Sequence, residues 1–491
     1  LTTHADSNCR FYNASGGQKY SSSSSSAYGN ASYNGDIVGV ALDMDNGKIW
    51  WAINNVWQAS GSPTSGTNEA FSGLTGEWSP DCRQYTTYNW VANFGQDSSF
   101  AGNKTAQGNQ DSNSIGDFYY EPPTDFLALC TSNLPDPAVI PSEHFNTILW
   151  SGDNNATRSL TGVGFQPDLI WLKVRSNATV YHIQDAVRTF GIDKTIGSDT
   201  TSAEPLSDST NYGSVGSVGS DGFTVAAGSA SGYTLHQINL SGRTYVAWNW
   251  KAGNATLGTG DFTQGSIAST CSRNVDAGFS IVSYTGTGSG SSPTVGHGLS
   301  SKPEFVVVKS RSVAGVWAAQ HTYDTTKYFQ MQDVDAAATG INVFDNVAPT
   351  SSVFTVNATN GVVNGSGTTY IAYCFHSVDG YSKVGSYTGN GSSDGTFVYT
   401  SFKPKYVMIR ATGLAENWLI FDTPRSIHNV TDDYLMANRS NAESVNDTDV
   451  KIDVLSNGFK IRGTNAGVCQ SGANYIFLAF ADVPFKYSTG V

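Results

Sequence analysis

Apolar residues recur along this chain in short runs that polar turn residues interrupt, and one run occurs three times. In each copy a proline is followed by a polar residue, four apolar residues and a basic residue. The copies are residues 167–173, 303–309 and 404–410. Each run predicts a buried strand, with Pro at its head because Pro cannot donate a ladder hydrogen bond inside a central strand. The basic residue is interpreted as the other end of the strand. Such self-similarity predicts repeated modules and argues against an enzyme.

A second shared run closes each copy of the repeat. It occupies residues 245–250, 370–375 and 475–480. Alternate residues of a strand share a face, so Val246, Trp248 and Trp250 lie on one side. That side is apolar in all three copies and is predicted to face a core. The other side is small or mixed, which suits contact with a neighbouring strand or sheet.

The spacing of these runs predicts the domain organisation. The tyrosines that open the closing runs are 125 and then 105 residues apart. Modules of this length fit complete β-sandwiches better than thin solenoid coils, and repeats in series would build length and rigidity. We therefore predict an all-β, multi-domain chain of tandem antiparallel β-sandwiches of the jelly-roll or concanavalin-like kind. The predicted segments are a sandwich at 1–126, a connector at 127–145, repeats at 146–253, 274–380 and 381–491, and a linker at 254–273.

The first segment carries motifs of its own. A strand-like run at 37–43 leads through an Asp-Asn-Gly turn at 45–47 to an aromatic run at 48–54, and a Val-x-Asn-Phe-Gly phrase follows at 91–95. Together these motifs resemble the C-terminal half of a SPRY domain, over about residues 30–100. The resemblance implies a binding module on a concanavalin-like sandwich. Its first half is not visible upstream, so either Leu1 falls within the domain or the early strands have diverged.

The repeats resemble modules of tail-fibre-like and other virion proteins of marine and cyanobacterial bacteriophages. The phrases that carry this resemblance lie at 163–173, 220–223 and 385–391. It implies a virion structural protein, a fibre or appendage on the particle surface that attaches to a host-surface glycan or protein, alongside other virion proteins. Fibres of this kind are usually homotrimers. The middle repeat departs from the pattern because Lys302 precedes Pro303 without a Phe before it, so a site on that loop would not be shared.

Composition narrows the alternatives. The chain has 491 residues, a net charge of −13, only 14% charged residues, and no apolar run long enough to span a membrane. A nucleic-acid partner is therefore not expected. Six scattered cysteines without a CxxC motif predict free thiols, and neither a metal nor a cofactor is expected. Three other functions remain open: a capsid decoration or head fibre without receptor binding, a glycan-degrading enzyme, and a secreted adhesin or matrix protein of a cellular organism.

An Asp-x-x-Arg phrase is the main candidate for a polar site. It occurs as Asp185 to Arg188 and as Asp422 to Arg425, and each copy is followed by an Ala-Glu pair ending in Glu204 or Glu443. Paired carboxylates with an Arg clamp would suit glycoside hydrolysis. Recurrence within one chain favours structural ion pairs instead, and no catalytic residue is predicted. Carboxylates free in a cleft would favour the enzyme, whereas ion-paired carboxylates would favour the structural interpretation. The middle repeat has His321 and Asp324 at this place.

Aromatic residues of the first segment are the candidates for receptor binding. Sugars pack their C–H faces on aromatic rings, and the segment places several such rings in loop-like sequence. The candidates are Trp57, Trp78, Tyr85, Tyr88 and Trp90. The alternative is that these rings belong to strand edges or subunit interfaces.

Overall fold

The computed structural model describes residues 9–21, 24–76, 78, 80, 90–134, 137–253, 255–338 and 342–484. The chain forms two compact units, Leu1–Pro135 and Asp136–Val491. Strands account for 37% of the residues and helices for 4%, in several antiparallel sheets. The prediction of an all-β, multi-domain chain is therefore confirmed. Among the residues that the structure describes, no helix is both long and apolar enough to cross a membrane.

The first unit contains two three-stranded sheets, with strand orders β1-β2-β3 and β4-β5-β6. The strands are β1 (Arg10–Asn13), β2 (Gln18–Ser21), β3 (Ser24–Ala27), β4 (Val38–Asp43), β5 (Lys48–Ile53) and β6 (Val56–Trp57). The predicted turn at 45–47 joins β4 to β5, and Asp43 pairs with Lys48 across it. Gly47 is required there, because its φ is +63° and a Cβ would lie 2.5 Å from the carbonyl oxygen of Leu74.

The second unit contains three modules, each built from a larger and a smaller antiparallel sheet. In module 1 the sheets run β10-β9-β13-β7 and β11-β12-β8. The elements of module 1 are β7 (Phe145–Ser151), β8 (Thr157–Thr161), β9 (Leu169–Val174), β10 (His182–Asp185), α1 (Ser207–Tyr212), β11 (Ser214–Gly219), β12 (Gly222–Ala226) and β13 (Thr244–Trp250).

Module 2 has the most extended sheet, in the order β14-β15-β21-β17-β18-β19, opposite the pair β16-β20. Its elements are β14 (Ser269–Asn274), β15 (Phe279–Thr285), β16 (Thr294–Gly296), β17 (Phe305–Ser310), β18 (Trp317–His321), β19 (Phe329–Gln330), β20 (Val353–Thr355), α2 (Gly361–Asn364) and β21 (Thr369–Phe375). The stretch predicted as a linker at 254–273 packs onto this module. Phe262 and Ile267 are buried in its core, and β14 begins at Ser269.

Module 3 has sheets in the orders β22-β29-β24-β25-β26 and β23-β28-β27. Its elements are β22 (Ser382–Thr388), β23 (Phe397–Tyr399), β24 (Phe402–Ala411), β25 (Leu419–Asp422), β26 (Leu435–Met436), β27 (Ile452–Leu455), β28 (Gly458–Ile461), α3 (Ala466–Cys469) and β29 (Asn474–Pro484). Short 3-10 turns at Gln58–Ser60, Thr131–Asn133 and Pro141–Glu143 complete the chain's described elements.

The larger sheets of all three modules bury one face in a single shared core, which we call the central core. On β13 the predicted apolar face, including Trp248 and Trp250, points into it. The equivalent faces of β21 and β29 contribute Tyr373 and Leu478. The opposite face of each closing strand, such as Ala247 on β13, packs on the smaller sheet of its own module. The expectation that the repeats build length in series is therefore wrong: the modules close around one core within one compact unit.

Candidate functional site

The two Asp-x-x-Arg phrases lie where β10 and β25 end, beside the central core. Arg188 donates its backbone N–H to Asp185 Oδ1 at 3.0 Å and its Nε to Oδ2 at 2.6 Å. Arg425 repeats both bonds to Asp422, at 3.1 and 2.6 Å. All four side chains are fully buried. Burial alone would lower the pKa of each arginine, but the adjacent aspartate raises it above its ordinary value. Both arginines therefore stay charged.

The glutamates that follow these phrases connect neighbouring modules. Glu204 of module 1 accepts the Nε of Arg311 from module 2 at 2.6 Å, and its other oxygen lies 3.8 Å from Arg188 Nη1. Their backbones are also bonded, from Glu204 N–H to the Arg311 carbonyl at 2.8 Å. The Asp185 carboxylate accepts a further bond from the Tyr373 hydroxyl of module 2 at 2.8 Å. We call this contact between modules 1 and 2 the first joint.

The second joint repeats this arrangement between modules 3 and 1. Glu443 of module 3 accepts Arg425 Nη1 at 2.8 Å and Arg175 Nη2, from module 1, at 2.8 Å. Its backbone N–H donates to the Arg175 carbonyl at 2.8 Å. Trp248 of module 1 donates its indole N–H to Asp422 Oδ2 at 2.8 Å. Each glutamate therefore lies between an arginine of its own module and an arginine of the next.

The third joint, between modules 2 and 3, keeps the backbone contact and loses the ion pairs. The strand pairing places His321 opposite Phe305, as Asp185 lies opposite Leu169. The N–H of Ala337 donates to the Thr412 carbonyl at 3.0 Å, which is the equivalent of the glutamate–arginine backbone bond. At the third joint, His321 and Asp324 stand where the other joints have the aspartate and arginine of the Asp-x-x-Arg phrase. Ala337 stands in place of the glutamate, and Thr412 in place of the arginine from the neighbouring module. Leu478 replaces the tyrosine or tryptophan that donates to the aspartate.

His321 is the notable group of the third joint. Its Nδ1 accepts the N–H of Tyr323 at 2.9 Å, whereas its Nε2 is buried without a partner. Burial lowers the pKa of His321 to about 3, because the charged imidazolium would have no solvation there. Asp324 pairs with Lys327 of its own module at 3.0 Å. The third joint is therefore held without an ion pair between its two modules among the residues described.

The basic residues that end the three copies of the repeated run also form hydrogen bonds between modules. Lys173 donates to the carbonyl of Ser440 at 2.9 Å, and Lys309 to that of Thr201 at 3.1 Å. Arg410 donates to the carbonyl of Asp335. Burial lowers the pKa of both lysines to about 8 and that of Arg410 to about 10. Sequence reasoning interpreted these residues only as strand ends; their recurrence after four apolar residues was the signal of a buried cation.

The predicted polar residues are thus brought together, but in closed contacts. None of Asp185, Glu204, Asp422 and Glu443 lies free in a cleft, since each accepts a bond or ion pair from a buried arginine. In the part of the chain that the structure describes, no three His, Cys, Asp or Glu side chains are grouped as a metal site requires, and five cysteines are free. What this arrangement can do chemically is fix three modules against one another.

The aromatic candidates of the first unit are less alike than the sequence indicates. Trp90 is half exposed, at 50%. Trp57 is partly buried at the end of β6. Trp78 is also partly buried: its ring packs against the small core of the unit and lies 6.0 Å from the Arg10 guanidinium. Tyr85 and Tyr88 lie outside the described residues. Of the described candidates, Trp90 presents the most open ring surface.

Comparison with known proteins gives one match. The family model described as Domain of unknown function (DUF7483) matches residues 140–484, which is the second unit almost in full. No curated protein and no solved structure matches this chain.

Proposed function

This chain belongs to the DUF7483 family, and from that premise, which brings no activity with it, we propose that it is a structural protein of a bacteriophage virion. It forms part of a fibre or appendage on the particle surface and attaches the particle to a host-surface glycan. The second unit serves as a rigid body, and the first unit presents the attachment surface.

The observation that carries this proposal is the closure of three modules around the central core. Polar residues that could have formed a catalytic cleft are used to fix the modules. Glu443, for example, accepts hydrogen bonds from both Arg425 and Arg175 at 2.8 and 2.9 Å. A surface appendage outside the cell gains from such rigidity, because local opening is what exposes a chain to proteolysis. The resemblance of the repeats to virion modules supports the same assignment.

Assembly into a homotrimer is part of the proposal, and light scattering on the purified chain measures it. We expect the mass of a complex of three chains of 52.2 kDa each. The mass of one chain would refute the homotrimer. The threefold set of β-sandwiches would then be the one that the three modules of a single chain provide.

The function itself is tested on virus particles of the strain that carries the gene. We expect peptides of the chain in purified particles, and gold-labelled antibody against the full chain on projecting fibres. Label on the capsid shell would favour a head decoration instead. Particles without the chain, together with the chain in the culture medium of uninfected cells, would refute the proposal in favour of an adhesin or matrix protein.

A further inference from the structure

Module 2 contains an open surface pocket of about 490 Å³ at the loop where its repeat departs from the others. Lys302 and Glu304 flank Pro303 at this loop, and hydroxyl side chains surround them. The pocket is lined by Ser300, Ser301, Lys302, Glu304, Thr350 and Ser351, together with His376 and Ser377. A volume of this size lies within the range of small-molecule sites, which is roughly 300–1,000 Å³.

Module 2 lacks an aromatic side chain that the other two modules have at this loop. In modules 1 and 3 the residue two positions before the shared proline is Phe165 or Phe402, and both are buried. Module 2 has Ser301 there, and Ser301 is exposed. The acidic residue after the proline shows the same difference: Asp168 of module 1 is fully buried, whereas Glu304 is only partly so.

The backbone role of that acidic residue is unchanged in module 2. Asp168 accepts the N–H of Ala252 at 2.7 Å, and Glu304 accepts the equivalent N–H, that of Ser377, at 2.6 Å. Both bonds hold the end of the closing strand, so the loop has the same anchor in the two modules. The pocket is therefore a local opening on an intact scaffold.

The chemistry of the pocket indicates its ligand. Lys302 is exposed, and no carboxylate lies within ion-pair distance of it among the described residues. In a chain with a net charge of −13, such a cation is available to an anion of the ligand. Serine and threonine hydroxyls and the second oxygen of Glu304 can bond to ligand hydroxyl groups. We propose that this pocket binds a hexuronate, a sugar that combines one carboxylate with several hydroxyls, with Lys302 on the carboxylate.

Saturation-transfer NMR on the full chain with sodium glucuronate tests this proposal. We expect saturation of the glucuronate ring protons, and weaker saturation of glucose at the same concentration. Lys302→Ala should weaken glucuronate binding about twofold to fivefold, as removal of one partly solvated charge contact does. Lys403→Ala is the matched control, because Lys403 precedes the shared proline of module 3 but follows the buried Phe402. It should leave binding unchanged.

Ser301→Phe is the second variant, since it places in module 2 the side chain that the other modules have there. It should abolish glucuronate saturation while the thermal midpoint stays within a degree of the parent. The proposal is overturned if the parent chain does not saturate glucuronate. It is equally overturned if Lys302→Ala and Lys403→Ala bind alike, or if Ser301→Phe binds as the parent does. The assay uses the purified chain, so its outcome is independent of the virion proposal.

Discussion

Glu443→Gln is expected to destabilise the second unit markedly, because it removes the charge between two arginines at the second joint. Glu443 accepts Arg425 Nη1 at 2.8 Å, Arg175 Nη2 at 2.8 Å and Arg175 Nε at 2.9 Å. Its side chain is 6% exposed and that of Arg425 is fully buried. A glutamine has one acceptor oxygen, so it can face one arginine, and its amide N–H₂ then faces the other.

The magnitude follows from these contacts. A hydrogen bond to a charged group contributes about 1.5–3 kcal/mol, and a buried charge left without its partner adds to the loss. We expect a loss of about 3 kcal/mol in the free energy of unfolding for Glu443→Gln. Glu204→Gln should cost only about 1 kcal/mol, because Glu204 accepts a short side-chain bond from Arg311 only, its contact to Arg188 is 3.8 Å long, and the glutamine oxygen can keep the bond to Arg311. The two joints therefore predict different losses for the same substitution.

Calorimetry at pH 7 on the full chain measures both. Unfolding entropy is about 2.1 cal/mol/K per residue, or about 0.75 kcal/mol/K over the roughly 360 residues of the second unit. The thermal midpoint should fall by about 4 °C for Glu443→Gln and by about 1–2 °C for Glu204→Gln. Glu143→Gln, at an exposed position of the same unit, is the control and should leave it unchanged. A midpoint for Glu443→Gln equal to that control, or a larger fall for Glu204→Gln, would refute the reasoning.

Three further predictions concern other parts of the chain. His321→Asn should reduce the loss of folding stability in acid. The histidine of the unfolded chain takes up a proton below about pH 6.5 and that of the folded chain only near pH 3, so between these values the parent loses about 1.4 kcal/mol of unfolding free energy per pH unit. Urea unfolding of the parent and the variant at pH 7, 5 and 4 measures the difference. Trp90→Ala should reduce host-cell attachment without a change in thermal midpoint, whereas Trp78→Ala should lower the midpoint, since its ring packs on the core of the first unit; attachment that survives Trp90→Ala would exclude that ring. Gly47→Ala should destabilise the first unit more than Gly73→Ala, because both have positive φ but only Gly47 faces a backbone oxygen at 2.5 Å; equal effects in thermal unfolding would contradict this.

The local structure of the modules could be predicted from the sequence, and their assembly could not. Alternation along residues 245–250 indicates correctly which residues share a face of β13. The same pattern does not say what covers that face, and three apolar faces could equally have met three partners. Asp185 and Arg188 are close enough in sequence to suggest a pair. Glu204 and Arg311 are joined only by tertiary structure, so their contact leaves no local pattern.

The aromatic candidates show a second reason for the difference. Ring chemistry alone places Trp78 and Trp90 in one class of residue. Their environments separate them, because the ring of Trp78 lies beside Arg10 and the core of the unit, whereas Trp90 is half exposed. In the same way the sequence already shows that the middle repeat lacks a Phe before Pro303. The structure adds that the equivalent Phe165 and Phe402 are buried, whereas Ser301 is exposed.

The ionic joints do more than add stability, because they favour one order of the modules around the central core. The apolar faces of the three larger sheets are chemically alike, so the core alone does not choose a neighbour for each module. In the observed order Glu204 meets Arg311, Glu443 meets Arg175, and the uncharged Ala337 meets Thr412. The opposite order would place Glu204 against Thr412 and Arg175 against Ala337. Glu443 would then meet Arg311 and remain paired, whereas Glu204 would keep only its 3.8 Å contact to Arg188 and Arg175 would lose its partner. One broken buried pair costs about 3–5 kcal/mol. The third joint can lack an ion pair because, once the other two are matched, its two modules have no other place.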